Sequence, residues 1–83
     1  MDKILIRLLV PAVGDDFDLF VPAGLEIGVL TNLLAEGVNE LCGGRYNLSG
    51  EEMLNQKDPD RLLNPLNTLA DYSVEDGAVL VLI

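Results

Sequence analysis

Two short stretches of alternating residues open the chain and predict a β-hairpin. In residues 3–10, KILIRLLV, one side is wholly apolar and is expected to face the core; it consists of Ile4, Ile6 and Leu8. The other side is mixed and consists of Lys3, Leu5, Arg7 and Leu9. Residues 17–21 alternate too, with Phe17, Leu19 and Val21 inward and Asp18 and Phe20 outward. Gly14 and two aspartates between the stretches predict the turn that joins them.

Helical periodicity extends from Leu25 to about Cys42. The apolar residues recur at the spacing of one buried stripe, namely Ile27, Leu30, Leu33, Leu34, Val38 and Leu41. Gly43 and Gly44 are expected to end the helix, because glycine adopts the left-handed conformation after a helix C-terminus without strain. Two internal glycines each cost about 1 kcal/mol relative to alanine. The helix is therefore expected to depend on packing against a sheet.

Residues 45–63 carry weaker signals. Composition predicts a turn at residues 57–60, KDPD, with a short strand on either side of it, the second at residues 61–63. Ser49 and Glu52 have the spacing of a capping box, but the apolar pair that follows is too short to distinguish helix from strand.

The sequence closes with an apolar strand, residues 77–83, GAVLVLI. A strand this apolar cannot be an edge that water reaches on both sides, so it must lie inside a sheet. After a crossover through the helix it can lie parallel to the first strand at the sheet's centre. The pattern predicts one α+β domain over residues 1–83, with a mixed sheet and one long helix packed on one face. This is the β-grasp arrangement.

Composition narrows the partners that this domain can have. The 83 residues include five Lys plus Arg against fourteen Asp plus Glu, for a net charge of −9. Nucleic acid and anionic membrane surfaces would repel the chain, so neither is an expected partner. No apolar run approaches the roughly 20 residues of a membrane span, and the N-terminus has no signal-peptide pattern. Because Cys42 is the only cysteine, no internal disulfide can form, and a reducing, cytoplasmic setting is expected.

The residues that enzymes use most are scarce. The chain has no histidine and one cysteine, which excludes Ser-His-Asp and Cys-His catalysis and the commonest metal ligands. Three adjacent acidic pairs lie in predicted turns, where carboxylates are usually solvated, and none has EF-hand spacing. They are Asp15-Asp16, Glu51-Glu52 and Glu75-Asp76. We therefore expect no enzymatic activity, no cofactor and no bound metal, with Cys42 a packing residue.

The segment before the last strand, TLADYSV, resembles the TLxDY turn of ubiquitin-family proteins. Thr68 is expected to cap this turn with Asp71, and Tyr72 to brace the adjacent loop through its hydroxyl group. Leu69 and Val74 are expected to enter the core. The resemblance extends to the order of the elements and to the chain length, and it implies a ubiquitin-like fold.

Other features resemble the unconjugated members of that superfamily. Ubiquitin and the sulfur-carrier proteins end in a protruding Gly-Gly, whereas this sequence ends at Ile83 within the strand, and its Gly-Gly pair is internal. Conjugation and sulfur carriage are therefore not expected. A short, tail-less chain is similar to the YukD/EsaB family of small bacterial proteins, which accompany type VII (Esx) secretion systems. That resemblance implies a cytosolic accessory or regulatory role, and no catalytic residue carries over.

An apolar surplus predicts a protein-binding surface on the sheet. If Val79 and Val81 face the helix, the other side chains of the last strand face away from it. An open apolar face of this kind is rarely tolerated by a monomer and marks an interface. The predicted binding residues are Leu5, Arg7, Leu9, Phe20, Leu80 and Leu82. Two alternatives stay open: residues 45–63 cover this face, or the assumed strand phase is wrong by one residue.

Two functional hypotheses follow. The first is a non-catalytic, cytosolic binding module of a type VII secretion system, which binds a protein partner, or a second copy of itself, through the open sheet face. The second is a small β-grasp regulatory subunit of a multicomponent enzyme such as an oxygenase. The sequence alone does not separate them.

Overall fold

The computed structural model describes residues 3–83, which form a five-stranded sheet and one α-helix. The hairpin consists of β1, Lys3–Val10, and β2, Asp15–Pro22, and is followed by α1, Ile27–Leu41. The remaining strands are β3, Leu54–Lys57, β4, Arg61–Leu62, and β5, Ala78–Leu82, with a single 3-10 turn, Ala70–Tyr72, before β5. The predicted hairpin, helix, two short strands and terminal strand are all confirmed.

The C-terminal strand lies at the centre of the sheet. The strand order is β2-β1-β5-β3-β4, with β5 parallel to β1 and antiparallel to β3. Hydrogen bonding along both of its edges explains why β5 can be uniformly apolar, since it presents no free edge to water. The predicted inner position of this strand, parallel to the first, is confirmed.

The side of β1 that faces the core is the predicted one, but the side of β5 that faces the core is not. Leu80 and Leu82, predicted to face away from the helix, are 0% and 1% exposed and belong to the core. Leu80 is directly opposite Leu8 on β1, and Leu82 is opposite Leu54 on β3. Because opposed residues of paired strands share a face, both leucines must point to the core. The assumed phase of β5 was wrong by one residue.

The buried face of α1 differs in part from the predicted stripe. Leu33 and Leu41 are 53% and 63% exposed, whereas Thr31 and Ala35 are buried. Leu33 is displaced by about 100° around the helix from its buried neighbour in the sequence, and Leu41 is the last helical residue. Thr31 tolerates burial because its hydroxyl donates to the carbonyl oxygen of Ile27 at 2.6 Å.

The N-terminus of α1 is held by the loop that precedes the TLADY turn. The amide of Ile27 donates to the carbonyl of Asn67, and that of Gly28 to the carbonyl of Pro65, each at 2.8 Å. These bonds satisfy two of the amides that a helix leaves free at its N-terminus. A Cβ at position 28 would lie 3.3 Å from both the Cβ and the carbonyl oxygen of Pro65, so glycine permits this close approach.

The TLADY turn forms the hydrogen bonds that its sequence predicts. The Thr68 amide donates to the Asp71 carboxylate at 2.9 Å, and the Asp71 amide donates to the Thr68 hydroxyl at 3.1 Å. The Tyr72 hydroxyl accepts the amide of Asn64 at 2.9 Å and so braces the preceding loop. The two buried members of the motif are Leu69 and Val74. The turn therefore fixes the point at which the chain enters β5.

Residues 45–63 extend the sheet and do not cover its free face. Their strands β3 and β4 flank the predicted turn, and β3 pairs with β5. Tyr46 and Leu63 enter the core cluster, while Leu48 and Gly50 line a groove beside α1. The alternative in which this segment screens the open face was wrong.

The Ser49 and Glu52 spacing produces a loop instead of a helix start. The Glu52 carboxylate accepts the amides of Ser49 at 2.7 Å and Gly50 at 3.0 Å. The Glu51 amide donates to the Ser49 hydroxyl at 3.1 Å. The Ser49 amide bond above all lowers the pKa of Glu52, which keeps the loop anchored by an ionised side chain.

Candidate protein-binding surface

The sheet face opposite α1, which we term the open face, is identified by the strand register. Directly opposed residues share a face, so each non-core residue of β1 places its partners on the neighbouring strands. The members from β1 are Lys3, Leu5, Arg7 and Leu9; those from β2 are Asp16, Asp18, Phe20 and Pro22; those from β5 are Val79 and Val81; those from β3 and β4 are Asn55, Lys57 and Leu62. All five strands therefore contribute to this surface.

Apolar side chains form a band across the open face. Leu5 and Phe20 are directly opposed on β1 and β2, and they are 36% and 69% exposed. Leu9 is opposed to Val81, and both are half-buried. Val79, two residues before Val81 on the same side of β5, joins the two pairs. An exposed phenylalanine in such a band is unusual on an isolated surface, because the hydrophobic effect favours covering it.

Four of the six residues that the sequence predicts for binding lie on this face, and two do not. The placement of Leu5, Arg7, Leu9 and Phe20 agrees with the prediction, and that of Leu80 and Leu82 was wrong. Val79 and Val81 take the places of the two leucines. Further apolar residues extend the band toward β4 and the C-terminus. These are Leu62, Met53 and Ile83, all exposed, the last two joined by reciprocal backbone hydrogen bonds.

Arg7 lies in the middle of the open face and is already paired. Its Nε donates to Oδ1 of Asp18 at 3.2 Å, and its Nη1 lies 3.9 Å from Oδ2 of Asp16. The bond to Asp18 raises the pKa of the Arg7 guanidinium, whose charge is therefore constant. A partner's carboxylate would have to compete with these two aspartates, so Arg7 is suited to orienting a partner more than to attracting one.

The open face is close to neutral on a strongly acidic chain. Its register positions carry three cations and two carboxylates, whereas the whole chain has a net charge of −9. The cations are Lys3, Arg7 and Lys57, and the carboxylates are Asp16 and Asp18. The excess negative charge therefore lies on other surfaces. A protein that docks on the open face does not meet the repulsion that the net charge would otherwise cause.

A recess in the open face is fixed by the start of β5. The Leu5 amide donates to Oδ1 of Asp76 at 2.8 Å, and the Gly77 amide donates to the Leu5 carbonyl at 2.8 Å. The recess is lined by Leu5, Ile6, Arg7, Asp18, Gly77 and Val79. Because two hydrogen bonds fix the backbone at Leu5, this end of the apolar band is already ordered, which lowers the entropy cost of binding a partner there.

Within residues 3–83, the structure brings together no group of three His, Cys, Asp or Glu side chains that could hold a metal ion. Cys42 is buried, as expected for a packing residue. Among the same residues, no helix has both the length and the apolar character needed to cross a membrane.

Several solved structures share this fold. The chain aligns over its whole length with the EccD5 ubiquitin-like domain from Mycobacterium xenopi, at 19% identity and a TM-score of 0.82, and covers 94% of that chain. It aligns equally fully with the ubiquitin-like domain of the Mycobacterium tuberculosis type VII secretion system protein ECCD1, at 16% identity and a TM-score of 0.76, covering 99% of it. It also matches a chain of the MycP5-free ESX-5 inner membrane complex, with 98% of this chain and 20% of that chain covered, at 18% identity and a TM-score of 0.82. No protein-family model and no curated protein sequence matches the chain.

At these identities the similarity establishes the fold. The chain has the ubiquitin-like β-grasp fold, as the TLADY turn and the order of elements predict. Two of these neighbours are EccD ubiquitin-like domains, and the ECCD1 domain is that of a type VII secretion system protein. Membership of the YukD/EsaB family stays a prediction.

Proposed function

We propose that this chain is a non-catalytic, cytoplasmic protein-binding module of a bacterial type VII secretion system, with the open face as its binding surface. The observation that carries the proposal is the exposed apolar band centred on Leu5 and Phe20. Burying such a band releases about 25 cal/mol per Å² before the costs of association. The near-neutral charge of the face also allows a partner to approach an otherwise acidic protein.

Two similarities support the type VII assignment. One is the resemblance of the sequence to the ubiquitin-like YukD/EsaB proteins. The other is the structural likeness to the EccD5 and ECCD1 ubiquitin-like domains and to part of a chain of the ESX-5 inner membrane complex. Both lead to the same class of machine, in which this domain would act as an accessory or regulatory subunit held by protein contacts.

The proposal can be tested with polar variants of the open face. The double variant Leu5→Gln and Phe20→Gln keeps the net charge and removes apolar area from exposed positions. Leu66→Gln is the matched control, since Leu66 is 76% exposed and lies in the loop before the TLADY turn. A photoreactive residue introduced at position 20 in the native host, with one at position 66 for comparison, would link the bound partner for mass spectrometry.

We expect cross-linking from position 20 to a type VII secretion component. We expect the Gln double variant to bind that component at least about tenfold more weakly, because apolar anchors at the centre of an interface dominate its affinity. The Leu66→Gln control should bind like the unmodified chain. Cross-linking to an oxygenase or another enzyme subunit would support the rival function. Cross-links between two copies, with a dimer in analytical ultracentrifugation, would indicate homodimerisation through the same face.

A further inference from the structure

The solvent side of α1 carries a second apolar feature that the proposed function does not use. Four residues spaced by four form one row along the helix, namely Val29, Leu33, Gly37 and Leu41. The three with side chains are all among the exposed large hydrophobic residues. A row of this kind spans about 18 Å, or three helical turns. A helix that needed only to cover the sheet would carry polar residues at these positions.

A polar row with two acidic residues, which we term the acidic row, runs beside the apolar one. It consists of the neutral Asn32 and the acidic Glu36 and Glu40, all exposed, and α1 contains no lysine or arginine. Glu36 and Glu40 are four residues apart, so they repel each other, and they lie in the C-terminal half of the helix, where the dipole favours cations. Both effects destabilise α1. These glutamates therefore do not stabilise the helix itself, but they can pair with the cations of a basic ligand.

A groove adjoins the acidic row on the side away from the apolar one. It lies between α1 and the loop that follows the helix, and is lined by Asn32, Ala35, Glu36, Leu48, Gly50 and Glu52. Two carboxylates thus border it, with the exposed Leu48 beside them. Glu52 is fixed by the amides of its own loop. The groove can receive long cationic side chains whose aliphatic stems pack on Leu48.

Gly37 leaves a gap in the middle of the apolar row. A Cβ built at this position would have no neighbouring atom within 4 Å, so glycine is not required there by packing within the chain. It nevertheless destabilises the helix relative to alanine. A glycine at the centre of an apolar row allows another backbone to approach the helix closely.

We propose that the outer face of α1 binds a basic amphipathic helix, whose apolar residues pack on the row at Val29, Leu33 and Leu41 and whose lysines or arginines pair with Glu36, Glu40 and Glu52. The three-turn length and four-residue spacing of the row suit the ridges of a partner helix. A second copy of this chain does not suit the site, because it would place like charges against each other on two proteins that each carry a charge of −9.

This surface is separate from the open face, which lies on the other side of the sheet. The domain would thus contact two partners at once, a near-neutral one through the sheet and a basic one through the helix. The variants Leu5→Gln and Phe20→Gln should leave helix binding unchanged, so the two proposals can fail independently.

The test uses two synthetic 16-residue peptides as probes. One is an amphipathic helix with leucines on one face and lysines beside them, and the other has glutamates in place of the lysines. Each is titrated into the 15N-labelled chain and followed by amide chemical shifts. We expect the lysine peptide to shift amides within residues 29–41 and residues near the groove, and the glutamate peptide to shift none.

Two variants separate this site from general attraction to an acidic protein. Gly37→Ala keeps every charge and fills the gap, and it should weaken binding at least about fivefold, because an added methyl overpacks the contact. The double variant Glu36→Lys and Glu40→Lys should weaken binding of the lysine peptide about tenfold. Both variants should raise the stability of the folded chain, so unfolding cannot explain the loss.

Three results would overturn the inference. The first is a set of shifts spread over all acidic surfaces or centred on the open face. The second is unchanged affinity of the lysine peptide for Gly37→Ala. The third is self-association of the unmodified chain through α1, observed as a concentration-dependent dimer whose formation Leu33→Gln prevents, which would make a second copy the occupant.

Discussion

Replacing Leu80 by alanine tests the phase of β5 directly. Leu80 is 0% exposed and lies opposite Leu8 on one side and Gln56 on the other, at the centre of the sheet. Truncation of a fully buried leucine costs about 2–5 kcal/mol, from lost burial and from the cavity that remains. A chain of this length has a total free energy of unfolding of about 4–12 kcal/mol. Leu80→Ala should therefore remove a large part of the stability.

The matched control is Leu5→Ala, which removes the same atoms from the open face. Leu5 is 36% exposed, so part of its side chain is already in water and no closed cavity results. We expect a loss of about 1 kcal/mol or less, in the range of ordinary surface and half-exposed changes. The difference between the two variants then reports the orientation of the side chains, because the chemical change is identical.

Urea and thermal unfolding, both followed by far-ultraviolet circular dichroism, measure the two variants. A loss of about 3 kcal/mol for Leu80→Ala corresponds to a decrease in Tm of roughly 12–24 °C for a domain of this size, while Leu5→Ala should move it by only a few degrees. A loss of stability for Leu80→Ala no larger than that for Leu5→Ala would contradict the phase of β5. So would a Leu80→Ala variant that kept its stability but lost partner binding, since Leu80 would then face the partner.

Two further predictions concern the loops. Tyr72→Phe should lower the free energy of unfolding in urea by about 0.5–1.5 kcal/mol, because it leaves the Asn64 amide without its acceptor at 2.9 Å. Tyr46→Phe should lower it less, because the Tyr46 hydroxyl lies 3.4 Å from the Glu52 carboxylate. Equal losses for the two variants would contradict this prediction. The pKa of Glu52 lies below its ordinary value of 4.5, chiefly because its carboxylate accepts a hydrogen bond from the Ser49 amide. The ionised side chain therefore stabilises the folded chain above pH 4.5, and this stabilisation is lost as the pH falls through the lower pKa of the folded state. The Glu52→Gln variant should therefore be less stable than the unmodified chain at about pH 7, with the difference shrinking as the pH falls below 4.5. A difference that does not depend on pH would indicate a steric effect instead.

The difference between β1 and β5 shows what alternation can and cannot predict. In β1, Lys3 and Arg7 mark the solvent side, so the core side follows from the sequence alone. In β5 every residue from Ala78 to Leu82 is apolar, and neither phase exposes a charge. Only the pairing with β1 and β3 decides, and that register is set by tertiary contacts such as those of Asp76 and Gly77 with Leu5.

The helix shows a related limit. Hydrophobicity alone favoured Leu33 and Leu41 over Thr31 and Ala35 as buried residues, yet the smaller pair is buried. Burial of Thr31 is tolerated because its hydroxyl donates to a backbone carbonyl within the helix. The leucines are thus left on the solvent side. A strict 100° projection would have placed Leu33 outside the stripe.

The two candidate surfaces differ in the kind of partner they can select. On the open face, cations and carboxylates nearly balance, and Arg7 is held by Asp16 and Asp18. Salt should therefore change its affinity little, since few unpaired charges are involved. On the outer face of α1, Glu36 and Glu40 have no cation on their own helix. Binding of a basic helix there should therefore weaken steeply between about 50 and 300 mM NaCl, because the screening length is already only about 10 Å at 0.1 M salt. Salt dependence measured separately for each surface would distinguish an apolar docking face from an electrostatic one, and equal dependence on both would contradict this assignment.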